Sequence, residues 1–191
     1  LSFLHNTSLT TKIDKEVSKL SREYSGIYVF DKKLRDEIKQ REKEREEMRQ
    51  KVTTGDTFWE QMEAIDKTHP QILSNGCKYF AKGLSKQEYE RTDLSPYREK
   101  IKEYMGEEAY NILHKGLFVT SYYIDKNNKV IPITFYTYIY DTITTYGLYG
   151  DEGAGFRLTD THSVGIAGGN IFYLENDKFI KSDEKNKGAQ E

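Results

Sequence analysis

At 191 residues, 36% hydrophobic and 31% charged, the chain has the material for one compact domain plus an extended element. Its 29 Lys/Arg against 31 Asp/Glu leave a net charge of −2, which excludes a global basic field for nucleic acid or an anionic membrane. The single cysteine, Cys77, excludes an intramolecular disulfide and a multi-cysteine metal site, and no stretch reaches the ~20 apolar residues of a membrane span.

The chain begins Leu1-Ser2-Phe3-Leu4 rather than with Met, which suits the outer end of a removed anchor or a boundary within a longer product. From residue 9 to 52 the pattern is helical. Alternating steps of four and three from Ile13 visit Val17, Leu20, Tyr24, Ile27, Asp31, Leu34, Ile38, Arg41, Arg45, Met48 and Val52. Most of these are apolar in otherwise polar surroundings, the mark of a helix that buries a narrow stripe against another helix. The segment is expected as a continuous rod or as a hairpin broken near Ser25-Gly26. Gly26–Phe30 is its weak point, because its β-branched and aromatic residues suit a strand, and Asp31 is placed to cap a second helix. Asp31/Arg35, Glu37/Arg41 and Glu47/Lys51 are spaced as opposite-charge pairs on a solvated helix face.

Beyond Gly55, Thr57-x-x-Glu60 predicts a capping box and a helix to Lys67 presenting Phe58, Trp59, Met62 and Ile65. His69-Pro70 breaks it, and Gln71–Lys82 reads as another helix, with Cys77 a small buried side chain within it. Ser85-x-x-Glu88 is a second capping box. Ser95-Pro96 opens a helix to Met105, and Glu107–Lys115 is a further helix stopped by Gly116. The period then changes to two. Strands are predicted at Leu117–Ile124, Lys129–Asp141 with Thr142–Tyr149 continuing it, Phe156–Ile166, Asn170–Leu174 and Lys178–Ile180. Gly150–Gly155 reads as a hairpin loop, since its glycine spacing and the following strand do not fit a dinucleotide loop. A polar tail begins at Ser182. The fold class expected is α+β, with short helices packed on one face of a curved antiparallel sheet.

Few constellations carry chemistry. Asp160 and His162 share a face of one strand, as an acid/base or metal pair would, but Asp and His are also ordinary strand-end residues. Together with Trp59 and Phe80 they are the candidate residues of a pocket between helices and sheet. The tyrosines of 122–149 have no Lys or Arg interleaved between Ile131 and Glu152, which argues against a nucleic-acid platform.

The layout from about Asp56 to Lys181 resembles the NTF2-like cone-shaped domains, and within them the VirB-eight-like assembly components of type IV secretion and conjugation channels. The helices at Thr57–Lys67 and Gln71–Lys82, the pair before Gly116, the meander and the closing Ile171–Ile180 hairpin carry the resemblance. It implies a non-enzymatic, membrane-anchored scaffold with its domain on the extracytoplasmic side, without cofactor or metal. Its partners would be other channel proteins, a second copy of itself as a homodimer, and the membrane through an N-terminal anchor. In this reading residues 1–55 are a stalk, 56–181 the domain and 182–191 a polar tail. The stalk would self-associate through Ile13, Val17, Leu20, Tyr24, Ile27, Leu34, Ile38, Met48 and Val52, whereas two antiparallel helices of the one chain would bury the same stripe without an oligomer. Leu20→Asp with Leu34→Asp should then abolish self-association and leave the domain folded. The alternatives are a ligand-binding or lyase/isomerase domain using the concave sheet face, and an extracellular sensor domain.

Overall fold

The computed structural model describes residues 9–10, 15–151, 155–166 and 168–185, with the backbone alone for 9–10, 15, 139–151 and 155–166. The protein is α+β. Its main sheet has the order β3-β4-β5-β2-β8-β9, formed by Lys78–Phe80 (β3), Leu117–Ile124 (β4), Val130–Thr137 (β5), Gly26–Val29 (β2), Asn170–Glu175 (β8) and Lys178–Lys185 (β9). A second sheet, β1-β6-β7, comprises Leu9–Thr10 (β1), Ile139–Asp151 (β6) and Gly155–Ile166 (β7). Six α-helices are described: α1 (Lys15–Tyr24), α2 (Lys32–Arg49), α3 (Phe58–Thr68), α4 (Lys86–Glu90), α5 (Ser95–Met105) and α6 (Glu107–Leu113).

The expected rod is not one helix. Its weak point, Gly26–Val29, is the strand β2, antiparallel to β5 and parallel to β8, so the N-terminal segment supplies an interior strand of the main sheet. A boundary near residue 55 therefore does not separate a stalk from a domain. The physical reason is alternation: Tyr28 faces one side and Ile27 and Val29 the other, so both faces of the strand are apolar and need cover. Tyr28 is fully buried, stacked on Phe172 with ring centroids 4.4 Å apart and met edge-on by Phe179 at 5.1 Å.

The middle of the apolar seam, Leu20 to Ile38, packs within the chain, on two faces of that sheet. Leu20 and Tyr24 of α1 pack on the core formed with α5 and α6, among Ile101, Met105, Ala109 and Leu113. Leu34 and Ile38 of α2 pack on the opposite face with Leu73, Tyr79 and Ile133. Helices thus cover both faces of the sheet rather than one. Val17, Met48 and Val52 are half-buried, and Ile13 lies outside the described residues.

Lys32, Lys33, Lys39, Lys43, Glu44 and Glu47 of α2 face water as expected, while other charged residues of the helix reach its neighbours. Arg45 is buried and donates to the Asp66 carboxylate at 2.6 Å and to the His69 carbonyl oxygen. Glu42 accepts from the Tyr79 hydroxyl at 2.8 Å and from the Gln71 amide at 3.0 Å. Glu37 accepts from the backbone N–H and hydroxyl of Ser74 while paired with Arg41. Arg35, read from spacing as a partner of Asp31, is buried and donates to the Tyr173 hydroxyl at 2.9 Å. Asp31 instead caps α2, accepting from the Leu34 N–H at 2.9 Å. These bonds tie 66–79 to α2.

That segment holds the clearest departure from helical expectation. Residues 71–77 form a turn and only Lys78–Phe80 is regular, as strand. Gly76 takes a φ of 80°, and the Asn75 side chain accepts from the Cys77 N–H at 2.9 Å. An Asn-Gly turn between Ile72-Leu73 and Tyr79-Phe80 is a hairpin signal that outweighs helical periodicity. Cys77 is buried, as expected, but in this turn.

Other boundaries moved less. Thr57 makes no side-chain cap, whereas Ser85 and Glu88 form both bonds of a capping box. The 129–141 run is two strands, leaving the main sheet at Tyr138, and β9 continues through the expected polar tail to Lys185. Where β2 meets β8, the Asn170 amide donates to the carbonyls of Arg22 (2.7 Å) and Ser25 (2.9 Å), satisfying the end of α1.

Glu88 also accepts from the Tyr122 hydroxyl at 2.7 Å, which joins α4 to β4. Burial pushes its carboxyl up, but hydrogen bonds from Ser85 and Tyr122 outweigh burial and hold it below its ordinary 4.5. A carboxylate held low contributes stability that is present above its unfolded value and lost as pH falls through the folded value. Melting temperature should therefore fall as pH drops below about 4.5, and Glu88→Gln, which keeps the cap geometry, should shallow that fall. Superimposable acid profiles for the two proteins would remove Glu88 from the effect.

Candidate functional site

Of the candidate pocket residues, Trp59 and Phe80 are described with their side chains and lie on separate elements. Trp59 lies on α3 and is 78% exposed, touching Phe58 edge-on at 5.1 Å. Phe80, on the short edge strand β3, stacks on Tyr122 at 4.9 Å. Asp160 and His162 lie on β7, in the other sheet, in register with Thr145 and Ile143, and their side chains are outside the described residues.

The tuned groups of the described body act as fixed hydrogen-bond partners. Burial, with the neighbouring Glu42, pushes the Tyr79 hydroxyl well above the usual phenol range, and burial with Glu88 does the same for Tyr122. Both therefore stay protonated donors at neutral pH. Two of the concavities are surface clefts. One of about 340 Å³ lies between α5 and the β8–β9 turn, where Lys100 pairs with Glu103 at 2.9 Å and Asp177 at 3.1 Å. Another, of about 290 Å³, is lined by Arg91, Asp93, Tyr97 and Lys129, and Arg91 spends a donor on the Asn128 carbonyl at 3.3 Å. No cluster of metal-ligating residues occurs among the described residues.

The strongest architectural feature is the β6–β7 hairpin. It begins where β5 ends, its base pairing Ile139 with Ile166 and its far end Asp151 with Gly155. Strands of 13 and 12 residues span on the order of 40 Å at about 3.3 Å per residue. Against this length, β1 pairs through Leu9 and Thr10, opposite Tyr146 and Thr145, among the described residues. The outer edge of β7 has no strand beside it among the described residues. At the base of this arm, Phe118 of β4 is 42% exposed and meets Tyr136 at 5.8 Å and Tyr138 at 5.6 Å. Sequence reading found these strands but not the arm, because alternation reports a strand without reporting which sheet receives it.

No family model matches the chain, and no curated protein or solved structure matches it at a significant level.

Proposed function

We propose that this chain is a non-enzymatic assembly component that joins other copies of itself through the β6–β7 arm. The observation that carries the reading is the pairing of the arm: two long strands hydrogen-bonded to each other, with Leu9 and Thr10 of β1 beside β6 and no strand beside the outer edge of β7 among the described residues. A two-stranded ribbon is marginal in water, and a long open edge is a template for another strand. A second arm laid along it would supply both the missing ladder and the missing burial.

Self-association, expected at the helical seam, is thereby moved to the arm, since Leu20, Tyr24, Leu34 and Ile38 have partners within the chain. The finer reading, a membrane-anchored extracytoplasmic scaffold of a type IV secretion-like or conjugative complex, rests on the resemblance of layout. No helix among the described residues is long and apolar enough to cross a membrane. The test is absolute mass by light scattering on residues 1–191 and on a variant with residues 141–164 replaced by an Asn-Gly turn. The full chain should show at least twice its 22.3 kDa and the variant a single chain mass, with far-UV spectra keeping the helical signal. A full chain that is monomeric, or a variant that keeps the larger mass, overturns the arm as the interface.

A further inference from the structure

The sequence along β7 is symmetric in kind about one residue, Thr161. Alternation puts Leu158, Asp160, His162 and Val164 on one face of the strand and Thr159, Thr161 and Ser163 on the other. The register shift of the hairpin, between Tyr146 and Tyr149, places its extra residue on β6, so β7 keeps this alternation. The base of β7 lies near the end of α1, since a Cβ on Gly168 would meet the Ser21 and Ser25 carbonyl oxygens at 2.8 and 2.4 Å. Leu158 to Val164 lies farther out along the arm, and among the described residues no strand pairs with its outer side.

Two copies of one edge pair antiparallel about a twofold axis normal to the sheet, which is a closed arrangement. Opposite residues then share a face, so one residue of β7 must sit on the axis, opposite its own copy. With Asp160 on the axis, carboxylate is set against carboxylate and Leu158 against the partner's His162. With His162 there, Asp160 is set against the partner's Val164. Thr161 on the axis removes both conflicts. Leu158 then stands opposite the partner's Val164, Thr159 opposite the partner's Ser163, and Asp160 opposite the partner's His162. Apolar, hydroxyl and acid–base pairs of this kind each favour a ladder, whereas like charges set opposite each other weaken it. Charged residues on an edge strand commonly block pairing. Here the acid and the base stand at equal distances from Thr161, so antiparallel pairing turns both into partners.

We infer that β7 pairs with the β7 of a second copy, antiparallel and with Thr161 on the twofold axis, and that Asp160 and His162 latch the pair. The imidazole N–H donates to the partner's Asp160 carboxylate, and symmetry makes that bond twice. The two hairpins become one continuous sheet in which β7 is no longer an edge, so assembly through this edge closes at a pair and does not propagate. The pairing rests on the arm being the interface proposed above, and it specifies the edge, the direction and the residues that set the register.

The test is a cysteine scan of β7 in the full chain, oxidised with copper–phenanthroline and read on a denaturing, non-reducing gel. Cys77 is buried, so wild type is the uncrosslinked control. Thr161→Cys should give a covalent dimer. Thr159→Cys and Ser163→Cys should each stay single chains, because each lies about 13 Å along the strand from its own copy, beyond disulfide reach. Mixed together, these two should crosslink, since they stand opposite each other. His162→Asp should raise the dimer dissociation constant at least about tenfold, and adding Asp160→His should return it to within about threefold of wild type. Crosslinking centred on Asp160→Cys or His162→Cys, or a dimer that crosslinks at none of these positions, overturns the register and leaves the arm standing as the interface. An unchanged dissociation constant for His162→Asp overturns the latch. A full chain that is monomeric overturns the register and the arm together.

Discussion

Gly26→Ala is expected to cost at least about 4 kcal/mol, a large part of the 5–15 kcal/mol that holds a typical domain together. Gly26 pairs with Asn170 in the parallel β2–β8 ladder at a φ of 149°, where L residues are strained. A Cβ there would lie 2.1 Å from the Asn170 carbonyl oxygen and 2.7 Å from its carbonyl carbon. Those atoms are backbone and cannot rotate away. Relief would have to come from separating β2 and β8, which would also pull the Asn170 amide from the carbonyls of Arg22 and Ser25. Urea unfolding read by circular dichroism should show a much lower midpoint or no native baseline. Gly83→Ala is the control, since its Cβ would make an ordinary 3.5 Å contact, and it should lie within about 0.5 kcal/mol of wild type. Equal midpoints for the two variants would mean that the β2–β8 junction is looser than its geometry.

The second large effect concerns the seam. Leu20→Asp combined with Leu34→Asp is expected to unfold the protein, at about 2 kcal/mol or more for each aspartate set against a core. Leu20 packs against the core of α5 and α6, and Leu34 against that of Ile38, Leu73 and Ile133. The two sites lie on opposite faces of one sheet, so their costs should add. This reverses the outcome expected of a stalk, where the same pair would change mass and spare the fold. Light scattering with circular dichroism separates the two: a folded monomer made from a wild-type dimer would restore the intermolecular seam, and a lost helical signal supports the internal one.

The seam shows why periodicity misled. Val17 to Met48 keeps a heptad rhythm across two helices and a strand, because each element carries apolar residues to bury and four-three steps sample all of them. The rhythm records that residues are buried, not against what. Arg41 and Arg45, which interrupt the stripe, were the available hint: Arg45 sits where a polar partner, Asp66, waits. Ser74-Asn75-Gly76 was a second hint, a turn signal set inside an apparent helix.

What the sequence determined by itself was local: the Asp31 cap, the Ser85–Glu88 box, the Gly106 break, the strand β4 and the Asn176-Asp177 turn. Each follows from a few neighbouring residues whose hydrogen bonds or φ angles close within one turn of chain. Tertiary structure alone decided that β2 enters the middle of the sheet, that helices cover both faces, and that β5 passes into the arm. Those choices set residues far apart in the chain against each other, as Gly26 against Asn170, and side-chain periods carry no record of such partners.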